Sequence, residues 1–160
     1  MTSVEDPASF GRDERIVILM VDDDPDDIFL TRRAFQEGRL IKDFHAVGNG
    51  REMLDYLHNR GAYSDSGANP RPHIILLDIN MPMMNGFEAL DQVRRDPDLA
   101  DIPIVMLTTS RDQVDVSRCY AMGANSFISK PMTPSAMRDL VRTIEDYWFD
   151  IAEIPRHRRT

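Results

Sequence analysis

Short apolar runs alternate along this chain with segments in which apolar residues recur every three or four positions. The runs occupy residues 16–21, 44–47, 73–77, 103–107 and 125–129. Several of them are apolar without interruption, which is typical of strands buried on both faces of a sheet. Because strand and helix alternate strictly, the sequence predicts an α/β fold of five strand and helix pairs, with one parallel sheet covered by helices on both faces.

The segments between the runs are the predicted helices. They occupy residues 26–37, 51–59, 86–96 and 112–122, and the last one begins at Pro134. This last helix has the clearest apolar stripe, formed by Met137, Leu140, Val141, Ile144 and Trp148. Residues 60–72, before the third strand, are rich in Gly, Ser, Asn and Pro, which predicts a long surface loop.

Composition excludes several classes of function. The formal charge of -8 and the pI near 4.9 argue against general nucleic-acid binding, because non-specific affinity comes from Lys and Arg at phosphates. The single cysteine, Cys119, excludes an internal disulfide and a thiolate metal cluster. The polar N-terminus has no signal-peptide pattern, and no apolar run is long enough to span a membrane. We therefore expect a cytoplasmic protein.

Polar residues follow the predicted strands at the points where they end. Asp22 and Asp23 follow the first strand, Asp78 the third, Thr108 the fourth and Lys130 the fifth. The carboxyl ends of parallel strands share one edge of the sheet, where open α/β sheets bind ligands. Carboxylate and main-chain oxygens are ligands that Mg²⁺ prefers, and a hydroxyl with a lysine can hold an oxyanion. The sequence therefore predicts a Mg²⁺ site that handles a phosphoryl group.

Each of these residues also has a structural explanation when taken alone. Asp24 or Asp26 could cap a helix that begins near Pro25, since Asp is a favoured N-cap and Pro a favoured first residue. Asp78 could form a turn, and Lys130 could be an ordinary surface lysine. Their joint occurrence at four strand ends favours the functional interpretation.

Other polar or soft side chains show no comparable pattern. The four histidines lack the spacing of metal ligands and are interpreted as surface or core residues. A methionine group after the third strand is interpreted as loop packing rather than as a soft-metal site; it consists of Met81, Met83 and Met84.

Four separated motifs resemble the receiver domains of bacterial two-component response regulators. The motifs are IVILMVDDD, IILLDINMPMMNGFEAL, PIVMLTTS and GANSFISKP, in that order. The resemblance extends from about Ile16 to Tyr147, which is nearly the whole chain. It implies a flavodoxin-like (βα)5 three-layer sandwich with a five-stranded parallel sheet. It also implies a phospho-accepting signalling protein that catalyses only its own phosphorylation and dephosphorylation.

The resemblance implies roles for the residues at the strand ends. Asp78 resembles the phospho-accepting aspartate, which takes its phosphoryl group from a sensor histidine kinase. Asp22 and Asp23 resemble the acidic pair that holds Mg²⁺ together with Asp78 and the backbone carbonyl of Asn80. Lys130 resembles the lysine that contacts the phosphate.

The same resemblance implies a conformational switch. Thr108 resembles the switch hydroxyl, and Phe127 resembles the aromatic residue that changes rotamer on activation. Asn80 and Ser110 would line the approach of the water that hydrolyses the acyl phosphate. The alternative for Phe127 is aromatic packing alone.

The resemblance also predicts how the chain is organised. We expect an N-terminal extension over residues 1–15, a receiver domain over residues 16–148 and a C-terminal tail over residues 149–160. The short stretch after Tyr147 predicts a stand-alone receiver similar to chemotaxis regulators. The long loop before the third strand and the ending EDYWFDIAEIP resemble small regulators that work with bacterial phytochrome kinases.

Three other functions are weighed against this one. A Mg²⁺-dependent phosphohydrolase resembling haloacid dehalogenases would need a second aspartate at Asn80. A purely structural binding module would not need the full polar set, which is present. A phosphate sink or shuttle in a multistep phosphorelay would use the same site.

The C-terminal tail predicts an interface. Phe149, Ile151 and Ile154 follow the last helix with no further element of the sequence to cover them. We therefore expect a homodimer through the last helix and the tail, with phosphorylation adjusting its affinity. The alternative is that the tail folds back over its own domain.

Overall fold

The structure, a computed structural model, describes residues 15–38 and 42–151, with side chains up to residue 149. The strands are β1 (Ile16–Val21), β2 (Lys42–Val47), β3 (Ile74–Leu77), β4 (Ile104–Thr108) and β5 (Ser126–Ser129). The helices are α1 (Pro25–Gln36), α2 (Gly50–Leu57), α3 (Gly86–Arg95), α4 (Gln113–Ala121) and α5 (Pro134–Glu145). A 3₁₀ turn, Gly61–Tyr63, lies within the predicted long loop, and a π-helical segment, Asp146–Ile151, follows α5.

A polar side chain fixes the start of every α-helix. Each capping residue accepts a hydrogen bond from a backbone N–H in the first turn, and the five caps are Asp24, Asn49, Asn85, Asp112 and Thr133. Proline follows the cap in α1 and α5, where its missing N–H costs nothing. The proposed capping role of Asp24 is therefore confirmed, and this residue orients α1 directly after the acidic turn.

The five strands form one parallel sheet in the order β2-β1-β3-β4-β5. This confirms the predicted α/β fold, and the order is that of flavodoxin-like sheets. The chain winds in opposite directions from β1 and from β3, so a crevice opens between the carboxyl ends of these two strands. Asp22 and Asp78 follow those two strands.

Alternate residues of the strands pack into two separate cores. Leu19 and Val21 of β1 face the core formed with α2, α3 and α4, whereas Ile18 and Met20 face the core formed with α1 and α5. These strand residues are buried, as the uninterrupted apolar run predicts. The sheet is thus covered on both faces, which leaves its carboxyl edge as the place for polar chemistry.

The end of the chain differs from the prediction. Phe149 was expected to lack a packing surface, but it is only 4% exposed and belongs to the core beneath α1 and α5. Phe149 lies in the π-helical segment Asp146–Ile151 and belongs to the same core as Ile144 of α5. The side chain of Ile151 and all of Ile154 lie outside the described residues. In the described ranges no helix is both long and apolar enough to cross a bilayer.

Candidate functional site

Three carboxylates meet where β1 and β3 end. Oxygens of Asp22, Asp23 and Asp78 lie within 4.8 Å of one another. Asp22 is 1% exposed, and its Oδ1 accepts a hydrogen bond of 2.9 Å from the backbone N–H of Asp24. Asp78 is also buried, and its Oδ1 accepts a bond of 2.8 Å from the N–H of Ile79. Asp23 is exposed. The predicted convergence of these carboxylates is therefore present.

Lys130 brings a buried positive charge into this group. Its Nζ lies 2.6 Å from Asp22 Oδ2, 2.8 Å from Asp27 Oδ2 and 3.1 Å from Asp78 Oδ2. The backbone N–H of Lys130 also donates to the carbonyl of Thr108 at 2.8 Å, which ties the end of β5 to that of β4. The lysine is thus fixed by its main chain as well as by its charge.

The pKa values reflect this burial and pairing. Burial raises the pKa of Asp22 above its ordinary value, against the opposing effect of the adjacent ammonium. Burial would lower the pKa of Lys130, but its contacts with Asp22 and Asp27 outweigh burial, and the pKa is raised. The lysine is therefore held as a cation. The negative charge of Asp22 is costly in this position, and a further cation would offset that cost.

One oxygen in the group has an unmet need for a partner. Asp22 Oδ2 is buried and accepts no hydrogen bond from the described residues, because its contact with Lys130 is an ion pair without hydrogen-bond geometry. A carboxylate oxygen has two lone pairs, so this ion pair leaves room for a second partner. Three hard carboxylate oxygens around such an atom fit a divalent cation, which prefers oxygen ligands and completes its shell with water.

The loop after Asp78 is held close to the site. The N–H of Gly86 donates to the carbonyl of Ile79 at 2.8 Å, and a Cβ at Gly86 would lie 2.1 Å from the carbonyl oxygen of Asp78. Only glycine allows this approach of α3 to the phosphoacceptor candidate. Met83, at the tip of the loop, has a left-handed φ of 67°. Asn80 lies in the same loop and is exposed.

The predicted switch residues lie beside the carboxylate group rather than within it. Thr108 is fully buried at the end of β4, and its Oγ1 accepts a long bond of 3.5 Å from the N–H of Ser110. Ser110 in turn donates from its hydroxyl to Asp115 at 2.7 Å. Phe127 is half-buried on β5 and packs against the core under α2, α3 and α4. Its N–H donates to the Tyr120 hydroxyl of α4 at 3.1 Å.

The contact of Asp27 with Lys130 was not predicted from the sequence. It lies in α1, and its contact with Lys130 depends on the rotational phase of that helix relative to the sheet. The sequence held one indication, since Asp27 stands three residues after the N-cap Asp24, about one helical turn. Helical spacing from the capped start of α1 could have identified it.

Comparison with known proteins agrees with this geometry. The model of the family described as response regulator receiver domain matches residues 18–142. Response regulator Rcp1 of Synechocystis sp. is 32% identical over 139 residues, which cover 87% of this chain and 92% of Rcp1.

Two solved structures extend the comparison to the fold. The phosphorylated cyanobacterial phytochrome response regulator RcpA aligns with a TM-score of 0.82 at 32% identity, covering 89% of this chain and 100% of RcpA. The Mn²⁺-bound form of Rcp1 aligns with a TM-score of 0.79 at 30% identity, covering 88% of this chain and 99% of that one. With most of its length matched in sequence and in fold, this chain belongs to the response regulator receiver domain family.

Proposed function

We propose that this protein accepts a phosphoryl group on Asp78 from the phosphohistidine of a sensor histidine kinase, with Mg²⁺, and then changes conformation to signal to a partner. The observation that carries the proposal is the position of Asp78, which is buried, lies with the carboxylate oxygens of Asp22 and Asp23 within 4.8 Å, and is 3.1 Å from the Lys130 ammonium. A lone surface aspartate would have neither neighbour.

The proposed transfer uses the groups around Asp78. The carboxylate attacks phosphorus, the bond from phosphorus to the histidine nitrogen breaks, and its electron pair returns to the imidazole. Asp22, Asp23, Asp78 and the backbone carbonyl of Asn80 would hold Mg²⁺, which supplies positive charge opposite the phosphoryl oxygens. Lys130 Nζ, 3.1 Å from Asp78, is placed to donate to another of those oxygens. The product is an acyl phosphate on Asp78.

The proposed switch begins at Thr108. Its hydroxyl oxygen is engaged only weakly by the 3.5 Å bond from Ser110, and a charged phosphoryl oxygen offers that hydroxyl a stronger partner. The loop after β4 would then move inward, and Phe127 would turn into the vacated space. Since the backbone N–H of Phe127 donates a hydrogen bond to the Tyr120 hydroxyl, the change would reach the surface of α4.

A phytochrome-type light pathway is the proposed setting. RcpA, which is described as a phytochrome response regulator, matches this chain over nearly its whole length, and this supports the assignment. A role as a phosphate sink or shuttle in a phosphorelay remains the second candidate, because it would use the same site. A phosphotransfer screen against purified histidine kinases separates the two by identifying the donor.

The proposal is tested by labelling with a small phosphodonor. Wild-type protein and the Asp78→Asn variant are treated with acetyl phosphate, with Mg²⁺ or with EDTA, and intact mass is read. We expect one phosphoryl group on the wild type with Mg²⁺, none with EDTA and none on the variant. Labelling of Asp78→Asn at the wild-type level would refute the assignment.

A further inference from the structure

The Lys130 ammonium donates hydrogen bonds to Asp27 and Asp78 and forms an ion pair with Asp22. An ammonium has three N–H groups, and Nζ has three carboxylate neighbours: Asp22, Asp27 and Asp78. Asp22 and Asp78 belong to the proposed metal and phosphoryl site. Asp27 has no part in that site, yet it accepts a hydrogen bond of 2.8 Å from Lys130 Nζ, shorter than the 3.1 Å bond that Asp78 accepts. The lysine thus has a competing partner.

Carboxylates outnumber the positive charge around Lys130. Lys130 is the cation among four carboxylates, those of Asp22, Asp23, Asp27 and Asp78. A phosphoryl group adds up to about two further negative charges. A phosphoryl oxygen that approaches Lys130 competes with the carboxylates already in contact with the ammonium, and each of them repels the incoming anion.

Asp27 is the partner that can be released most easily. Its side chain is 33% exposed, whereas those of Asp22 and Asp78 are 1% and 8% exposed. Water can solvate Asp27 when the lysine turns away, but it cannot reach the two buried carboxylates as readily. The contact between Asp27 and Lys130 is therefore the one that phosphoryl binding would exchange.

We propose that Asp27 is a positioning residue that competes with the phosphoryl group for Lys130 and so weakens the binding of phosphoryl donors. This inference rests on the proposed function of Asp78. Asp27 acts through Lys130 and does not touch the reacting atoms. Its removal leaves the nucleophile and the metal ligands in place, so the half-saturating donor concentration changes while the maximal rate of labelling does not.

The test compares Asp27→Asn with Asp26→Asn, which removes the same charge from an exposed neighbour on the same helix. Labelling rates are measured over a range of acetyl phosphate concentrations with Mg²⁺. We expect Asp27→Asn to lower the half-saturating acetyl phosphate concentration about threefold, because the charge pair that it removes is partly exposed and such pairs are weak. The maximal rate of labelling should not change. The Asp27→Glu variant should behave like the wild type. The difference in half-saturating concentration between Asp27→Asn and the wild type should shrink at high salt, since screening weakens interactions between exposed charges.

A second readout avoids the covalent step. Beryllofluoride, a non-covalent analogue of the phosphoryl group, should bind Asp27→Asn more tightly than Asp26→Asn. Equal half-saturation in the two Asn variants, or weaker saturation in Asp27→Asn, would overturn the inference while leaving Asp78 as the acceptor. A wild type that takes no label would refute the proposed function itself, and this inference with it.

Discussion

Two adjacent carboxylates after β1 differ in their environment. Asp22 is buried and forms an ion pair with Lys130, whereas Asp23 is exposed. Burial makes Asp22 part of the local structure as well as of the proposed metal site. Asp23 is free of that structural role, so its substitution isolates the effect of a ligand charge.

We expect Asp23→Asn to weaken Mg²⁺ binding by at least about tenfold, because loss of a metal ligand costs no less than loss of an outer-shell partner. Calorimetric titration with Mg²⁺ measures this. The matched control is Asp24→Asn, which removes the next charge along the chain but keeps the cap of α1, since Asn caps as well as Asp. Unchanged affinity in Asp23→Asn would show that Asp23 is not a ligand, and loss of helical circular dichroism would show that its carboxylate is structural instead.

At this scale, sequence reasoning predicted the proximity of the residues that directly follow β1, β3 and β5. Asp22, Asp78 and Lys130 were predicted to converge because parallel strands end at one edge, and they lie within ion-pair distance. Asp27 was missed because its place depends on how α1 is rotated against the sheet. Gly86 was missed because its close approach to the Asp78 carbonyl is visible only in three dimensions.

At the scale of elements, the segment after α5 is the main departure from prediction. The stripe from Met137 to Ile144 follows the α-helical period, and its residues are buried as expected except Leu140, which is half-buried. Beyond Glu145 the helix widens into a π-helical segment. In this segment Phe149 is buried, whereas Trp148 is only half-buried. A search for a period of 3.6 cannot find a π turn.

We expect Phe149→Ala to destabilise the domain by about 3 kcal/mol, the lower end for removing a buried phenyl ring. Urea unfolding followed by circular dichroism measures the change. Tyr147→Ala is the control, because Tyr147 is 51% exposed and should cost within about 1 kcal/mol, including its edge contact with Trp148. Equal stability of Phe149→Ala and wild type would show that the segment does not pack as described.

For the whole molecule, we propose a homodimer through the end of α5 and the tail. Burial of Phe149 removes one group from the expected interface, but Tyr147 stays exposed at this end of the helix. Tyrosine at such a position is a frequent anchor of protein interfaces. The argument for a dimer therefore depends on Tyr147 and not on Phe149.

Sedimentation equilibrium at several concentrations tests this proposal. We expect a dimer in the wild type and an affinity about tenfold weaker in Tyr147→Ser, the loss expected for an anchor residue. Met83→Asn is the control, since Met83 is an exposed apolar residue at the opposite edge of the sheet, and Asn accepts its left-handed backbone. A monomer at every concentration, with and without phosphodonor, would contradict the proposal.

The central claim is that Asp78 receives the phosphoryl group, and locating that group in the labelled chain tests it most directly. Borohydride reduces an aspartyl phosphate to homoserine, which peptide mass spectrometry can assign to one residue. We predict homoserine at position 78 in wild-type protein labelled with Mg²⁺, and its absence after labelling in EDTA. Homoserine at Asp22, Asp23 or Asp27 instead, or phosphate on a residue that borohydride does not reduce, would contradict the account.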